Sequence, residues 1–463
     1  MPKFAPASAR LFTRLLALLA AMAMVTQPLA AQAQGLNVLR DAETEALLQD
    51  MIDPLAEAAG LGEGAVDVVL LSDTTINAFV AGGQRVYIYS GLLLEAEDAG
   101  EVQGVLAHEL GHITGGHINR YSEGAGNATR ITLLSALLAA AAAFAGGGDA
   151  AMGILAAGQQ AALGSFLAFS RTQEASADAA GARYLSEAGI SGRGSLRFFE
   201  RLENMEFRRG ISQNNDREYG RTHPLSGNRI ARLQEDYIVD PAWDTPTDPD
   251  LQERFERVQA KLYGYLAPPE RVLTAYPTDR TDVPSRYARA YAYHRDALME
   301  QSLAEVDALL ALEPQNPYFL ELKGQVLLES GRVNEALPPL REATRLTQST
   351  PLIASMLGHA LLATDDRANL PEAERVLRAA LGRDRENPFA WYQLGAVYQL
   401  LGDTPRARLA SAEQQILSGN PQGALMNASA AEQALPVGSP DWIRAQDVQL
   451  QARAQLERMA ERN

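Results

Sequence analysis

The chain has 463 residues, 46% of them hydrophobic, enough to bury two or three cores rather than one. Lys and Arg number 41 against 57 Asp and Glu, a formal charge of −16 with no Lys/Arg run, which argues against a nucleic-acid partner. There is no cysteine, so disulfides, a thiolate metal site, a catalytic thiol and an acylated lipoprotein amino terminus are excluded.

Residues 1–33 read as a cleaved secretory signal. Lys3, Arg10 and Arg14 precede an apolar run over 15–25, Gln27-Pro28 breaks it, and Ala31-Gln32-Ala33 matches an A-x-A cleavage site, with Leu29-Ala30 a second option. An uncleaved anchor is the alternative, but the run is about half the roughly 20 residues that a spanning helix needs. The segment implies work outside the cytoplasm.

Helical spacing of Leu47, Leu48, Met51 and Leu55 predicts a helix over 43–59, and valine-rich 66–71 reads as a strand. Residues 77–80 and 85–89 read as two short strands around a Gly82-Gly83 turn. Asp98-x-x-Glu101 is a capping box for a helix that Gly115-Gly116 stops. Residues 131–169 carry one charge, Asp149, and a glycine break at 146–148. Three readings stay open for them: two apolar helices over the active site or on a membrane surface, a buried core hairpin, or a spanning hairpin. A second strong helix is expected from near Ser170, capped by Ser170-x-x-Gln173, to Gly189. A Pro/Asp-rich linker at 240–249, a helix at 251–265 and a Pro-punctuated connector at 267–285 follow.

The remainder repeats. Pro317 and Pro351, like Gly324 and Gly358, are 34 apart, and Pro388 and Gly395 come 37 later, with the extra residues placed at 365–369. Trp391-x-x-Leu394-Gly395-x-x-Tyr398 matches the signature of a 34-residue tetratricopeptide repeat. Such repeats stack into a concave solenoid that takes a peptide or protein partner.

The chemistry concentrates in His108-Glu109-Leu110-Gly111-His112. Histidines four apart on a helix point the same way and can share one zinc ion, and Glu109 beside them can take a proton from the attacking water and return it to the leaving amine. A third ligand is needed. A metzincin pattern would place histidine at 118, where Ile118 stands; His117 comes one residue early and reads as a supporting or surface residue. A gluzincin pattern takes a glutamate from a second helix, and Glu174-Ala175-Ser176-Ala177-Asp178 offers Glu174 as ligand, with Asp178 one turn on to orient a histidine.

Together these strings resemble the zinc peptidases that include the CAAX prenyl proteases and HtpX. They share Asn77-Ala78-Phe79 before a Gly-Gly turn, Ser90-Gly91-Leu92-Leu93, the HELGH helix, the E-x-x-x-D helix, and Thr222-His223-Pro224 followed by Arg229. The signal and the repeats make the layout most similar to the periplasmic beta-barrel assembly-enhancing group. The resemblance covers about residues 40–240, and for the repeats it is architectural only.

It implies a mainly α chain: a signal at 1–33, a gluzincin-type α+β zinc peptidase domain with a small sheet at 34–240, a linker and connecting helix at 241–285, and an α-solenoid of tetratricopeptide repeats at 286–463. It further implies one Zn2+ per chain, a periplasmic location, unfolded or misassembled polypeptide substrates, and outer-membrane protein assembly machinery met through the repeats. His223 would lie over the metal as a transition-state donor or as a fourth ligand closing the site. Arg229 would stabilise the oxyanion or brace an acid. The strand from Gly82-Gly83 to Tyr89 would be the edge that pairs with substrate, near Asn77. The rival reading is a chaperone or scaffold docked on the assembly machine, its peptidase site latent.

Overall fold

The computed structural model describes residues 37–144, 148–208, 223 and 227–461. The expected signal and both neighbours of His223 lie outside them.

Asp41 caps the first helix, α1 (Ala42–Ala58), by accepting the Thr44 N–H at 2.8 Å. Leu47, Leu48, Met51, Ile52 and Leu55 form its buried stripe. The expected strands follow as β1 (Asp67–Leu71), β2 (Ala78–Ala81) and β3 (Arg85–Tyr89). They form one sheet in the order β1-β3-β2, β1 parallel and β2 antiparallel to β3. Gly82 and Gly83 turn between β2 and β3 at φ of 64° and 102°, the left-handed region that glycine alone enters freely.

β3 runs into α2 (Ser90–Glu95) and then α3 (Ala99–Thr114). A Cβ on Gly91 would lie 2.3 Å from the Thr74 carbonyl oxygen, so the tight Ser90-Gly91 entry tolerates no side chain there. Asp98 caps α3 by accepting the Glu101 N–H at 3.0 Å, while the Glu101 carboxylate accepts the Glu97 N–H at 2.9 Å. Every residue from Ala99 to His112 is buried, which makes α3 the axis of the peptidase body. One core joins it to α1, the sheet, α6 (Arg193–Arg208) and α7 (Gly227–Ile238).

Between α3 and α6 lie α4 (His117–Phe144) and α5 (Gly148–Glu187), packed as a hairpin in which Gly158 abuts Ser135 and Gly124 abuts Phe169. Two expectations change here. No helix starts at Ser170: α5 is a single helix of 40 residues. A cap requires a break before it, and no glycine or proline lies between Gly164 and Ser170, so the alanine-rich arm propagates straight through. Nor is the stretch a buried core hairpin, since Leu133, Leu137 and Met152 are 59%, 70% and 68% exposed.

α8 (Pro249–Leu266) leads out of the peptidase body, and the connector at 267–285 contains a short helix, α9 (Pro269–Ala275), that proline spacing alone hid. The repeats are antiparallel helix pairs: α10 (Val283–Arg295) with α11 (Met299–Leu312), α12 (Pro317–Glu329) with α13 (Val333–Leu346), α14 (Pro351–Ala363) with α15 (Leu370–Arg383), and α16 (Pro388–Leu401) with α17 (Thr404–Leu417). Helices α18 (Pro421–Ala434) and α19 (Pro440–Glu461) end the chain's described part. Pro317, Pro351 and Pro388 open their helices, where the missing N–H costs nothing. Gly324 and Gly358 let helices approach: a Cβ there would stand 2.3 and 2.5 Å from Leu340 and Leu377. The longer second interval, from Pro351 to Pro388, is taken up by a 3-10 turn, Arg367–Asn369.

The repeats fold back onto the start of the peptidase body. Glu43, 3% exposed, accepts from Arg257 Nε at 2.7 Å, Tyr287 OH at 2.8 Å and Lys261 Nζ at 3.2 Å. Lys261 also pairs with Asp41 at 2.6 Å. At the rim, Arg40 meets Asp384 at 2.9 Å and Arg85 meets Glu386 at 3.2 Å. A groove of about 800 Å³ lies between residues 39–42 and the repeats, with Tyr265, Tyr291, Glu321, Met356, His359 and Phe389 in its wall.

Candidate active site

α3 and α5 cross so closely that a Cβ on Gly111 would lie 2.5 Å from the Ala177 carbonyl oxygen, and one on Gly181 3.0 Å from Ala107. Glycine inside the HELGH string therefore serves the approach of the second helix, and that approach carries Glu174 to the histidines. One ligand atom from each of His108, His112, Glu174 and His223 falls within 4.8 Å of all the others, and all four residues are buried.

The distances are short. His108 Nε2 lies 3.1 Å from His112 Nε2 and 3.3 Å from His223 Nδ1. Glu174 Oε2 is 3.4 Å from His108 Nε2 and 3.3 Å from His223 Nδ1, and its Oε1 is 3.5 Å from His112 Nε2. Imidazole nitrogens crowded this way repel through their lone pairs unless a proton or cation sits among them. The donor set, three imidazoles and one carboxylate with no thiolate, suits zinc or another divalent ion of that kind.

Outside the donors, Asp178 Oδ1 is 2.9 Å from His108 Nδ1, and His117 Nδ1 is 2.9 Å from His112 Nδ1. Each helix histidine is thus approached from behind, which fixes which ring nitrogen faces the cluster. Of the two sequence options for His117, the buried supporting one holds. Arg229 clamps Asp178 with Nε at 2.7 Å and Nη2 at 2.8 Å, and reaches Glu174 Oε2 with Nη1 at 3.0 Å. Its guanidinium braces acids in this structure. Phe199 walls the site edge-on to the His108 ring at 5.9 Å; nothing local in the sequence marks that role.

Glu109 is fully buried, and among the described residues neither carboxylate oxygen meets a donor in hydrogen-bonding geometry. His223 Nε2 is 3.4 Å from Oε1. Burial pushes the Glu109 pKa above the ordinary carboxylate value. Burial opposes charge on His108, yet the Asp178 and Glu174 carboxylates outweigh it and push that ring up to about 10. Burial, with the His108 and His223 rings alongside, holds His112 well below the usual histidine value. Burial would raise Glu174, but His108 and His223 hold it far below the usual range.

The expected substrate strand needs correction. β3 is hydrogen-bonded on both sides, to β1 and β2, so it offers no edge. The edge next to α3 is β2. Tyr89 N–H donates to Asn77 O, so by antiparallel alternation the backbone groups of Ala78 and Val80 turn away from β3. Asn77 is buried at the start of that edge, and Gly82 and Gly83 form its far end.

The peptidase family M48 model matches residues 42–236. The chain is 25% identical over 382 residues to the beta-barrel assembly-enhancing protease of Escherichia coli (strain K12), covering 80% of this chain and 75% of that protein. The Yersinia pestis protein of the same name is 24% identical over 385 residues, with 81% and 76% covered. Metalloprotease LoiP of Escherichia coli (strain K12) is 32% identical over 168 residues, 36% of this chain and 60% of that one. The chain accordingly carries a peptidase family M48 domain over residues 42–236 and is a metalloprotease with a helical-repeat tail.

Proposed function

We propose that the chain is a zinc endopeptidase of the periplasm that cleaves misfolded or stalled outer-membrane proteins and assists their assembly. The observation that carries the catalytic part is the buried His108–His112–Glu174 donor set with an unsatisfied Glu109 carboxylate beside it. The biological part is supported by the relatives named for β-barrel assembly, which match along 80% of the chain.

In this reading His108, His112 and Glu174 hold one zinc ion. Zinc would polarise the scissile carbonyl and acidify the attacking water. Asp178 and His117 hold the two helix histidines in register, and Arg229 keeps Asp178 ionised and braces both Asp178 and Glu174 in place. Glu109 takes a proton from the water, an uptake its raised pKa favours, and passes it to the leaving amine. An extended substrate adds to β2 through Ala78 and Val80, reading backbone rather than side chains, which selects unfolded segments. The groove beside the repeats is a second place for polypeptide, and the assembly machinery meets the repeats.

One observation favours a latent resting state. His223 stands among the donors, and a fourth protein ligand would leave no open position. The chain would then act as a chaperone or scaffold until His223 withdraws.

The test is cleavage of an unfolded outer-membrane β-barrel protein by the purified mature chain. Cleavage lost with a chelator and restored by zinc is expected. Cleavage indifferent to chelator would overturn the reading.

A further inference from the structure

The α4–α5 hairpin is built inside out for a protein in water. Glu123–Ala142 and Ala150–Glu187 are each long and apolar enough to cross a membrane, yet only 6% and 11% of their apolar windows are buried. The seam between the arms is made of small residues, Ser135 against Gly158, with Ala139, Ala151 and Ala162 buried beside them. The large aliphatic side chains point outward: Leu133, Leu134, Leu137 and Leu138 on α4, Met152 and Leu163 on α5. Water drives the opposite arrangement, leucine inward and alanine outward. Hydrocarbon gives no reward for hiding leucine and favours small residues where helices touch.

The outward surface is also apolar on every side. Between Arg130 and Arg171 only Asp149, at the tip, is charged, and Gln159 and Gln160 are the exposed amides. A soluble partner or a second copy would cover one face and leave another that needs water; among its described residues this hairpin shows no such face. Arg130 and Arg171 bound this stretch, as basic residues do at a bilayer's headgroups.

We propose that the distal part of this hairpin enters the hydrocarbon of a lipid bilayer and holds the peptidase site close to its surface. The arm from Ile131 to the tip rises roughly 20 Å at 1.5 Å per residue, more than half of the ~30 Å apolar core and short of crossing it. Opposite Ile131 on the other arm stands Ala162, by the Ser135–Gly158 register. From Ala162 to Glu174 is again roughly 20 Å along α5. About six extended residues would span that gap, so segments of a chain at the membrane surface come within reach. The inference does not depend on the catalytic assignments.

Flotation of the mature full-length chain with vesicles of phosphatidylethanolamine and phosphatidylglycerol tests it. The wild type rises with the vesicles, and the combined Leu134→Gln, Leu137→Gln, Leu138→Gln, Met152→Gln variant does so at least tenfold less. All four side chains are exposed, so its circular dichroism and metal content stay unchanged. Leu137→Trp in the otherwise native chain gives a second readout, an emission that lipids brominated along the acyl chain quench. A wild type left at the bottom of the gradient, or an unquenched tryptophan, overturns the proposal. So does a lipid-free dimer that the fourfold variant dissolves without any vesicle binding, which would mean that a second copy covers the leucines.

Discussion

Glu109→Gln lowers the rate of polypeptide cleavage by between about a hundredfold and about 10⁴-fold, the range expected for loss of a positioned general base, while the chain keeps its metal. Glutamine has the size of glutamate and no proton affinity in this range, so the substitution removes the chemistry and little else. Glu109 is not among the four clustered donors, which is why metal content is expected to hold. Among the described residues its carboxylate oxygens make no hydrogen bond, only the 3.4 Å contact with His223 Nε2, so the fold should hold as well. Progress curves at fixed substrate, with zinc measured on the same preparation, check both halves. Near-wild-type cleavage by this variant would remove Glu109 from the mechanism and turn attention to His223.

Glu43→Ala should destabilise the chain by about 3–5 kcal/mol, because removing one partner of a buried ion network leaves the others charged and dry. Among the described residues Arg257 would keep Glu313, at 3.6 Å, as its one carboxylate partner, and Tyr287 would lose the acceptor of its hydroxyl. A fall of several degrees in the thermal midpoint is expected, with the repeats loosening from the peptidase body. The same cluster sets an acid limit. Burial would raise Asp41, but the Lys261 ammonium and Thr44 hold its pKa below the ordinary 3.8. A depressed carboxylate contributes stability that is present above its ordinary value and lost as pH falls through the depressed one. The contribution from Asp41 is therefore intact at neutral pH and disappears only below about pH 4. Equal midpoints for wild type and Glu43→Ala would mean that the network contributes nothing net.

Much of the site was legible in the residues because its logic is local. Histidines four apart on one helix must share a face, and the Glu174/Asp178 pair repeats that spacing on a second. The repeat period likewise followed from prolines and glycines whose positions are dictated by helix starts and close helix contacts. What escaped was set by long-range packing. Two strands flanking a glycine turn do not reveal which is the edge, because the strand order depends on β1, paired from elsewhere in the chain. Ser170 carries a sound local cap signal, overridden by a helix already running through it. Phe199 on the His108 ring, Arg257 on Glu43 and the tight Gly111–Ala177 crossing are contacts across distant stretches that no spacing rule encodes.

The most direct measurement is the metal content of the purified mature chain, prepared without chelators, beside that of Glu174→Ala. The account predicts about one zinc per chain in the wild type and its loss in the variant, since Glu174 is the one carboxylate among the clustered donors. A wild type without zinc, or a Glu174→Ala chain that retains it in full, would contradict the central claim that two helix histidines and a glutamate from the facing helix hold a catalytic metal.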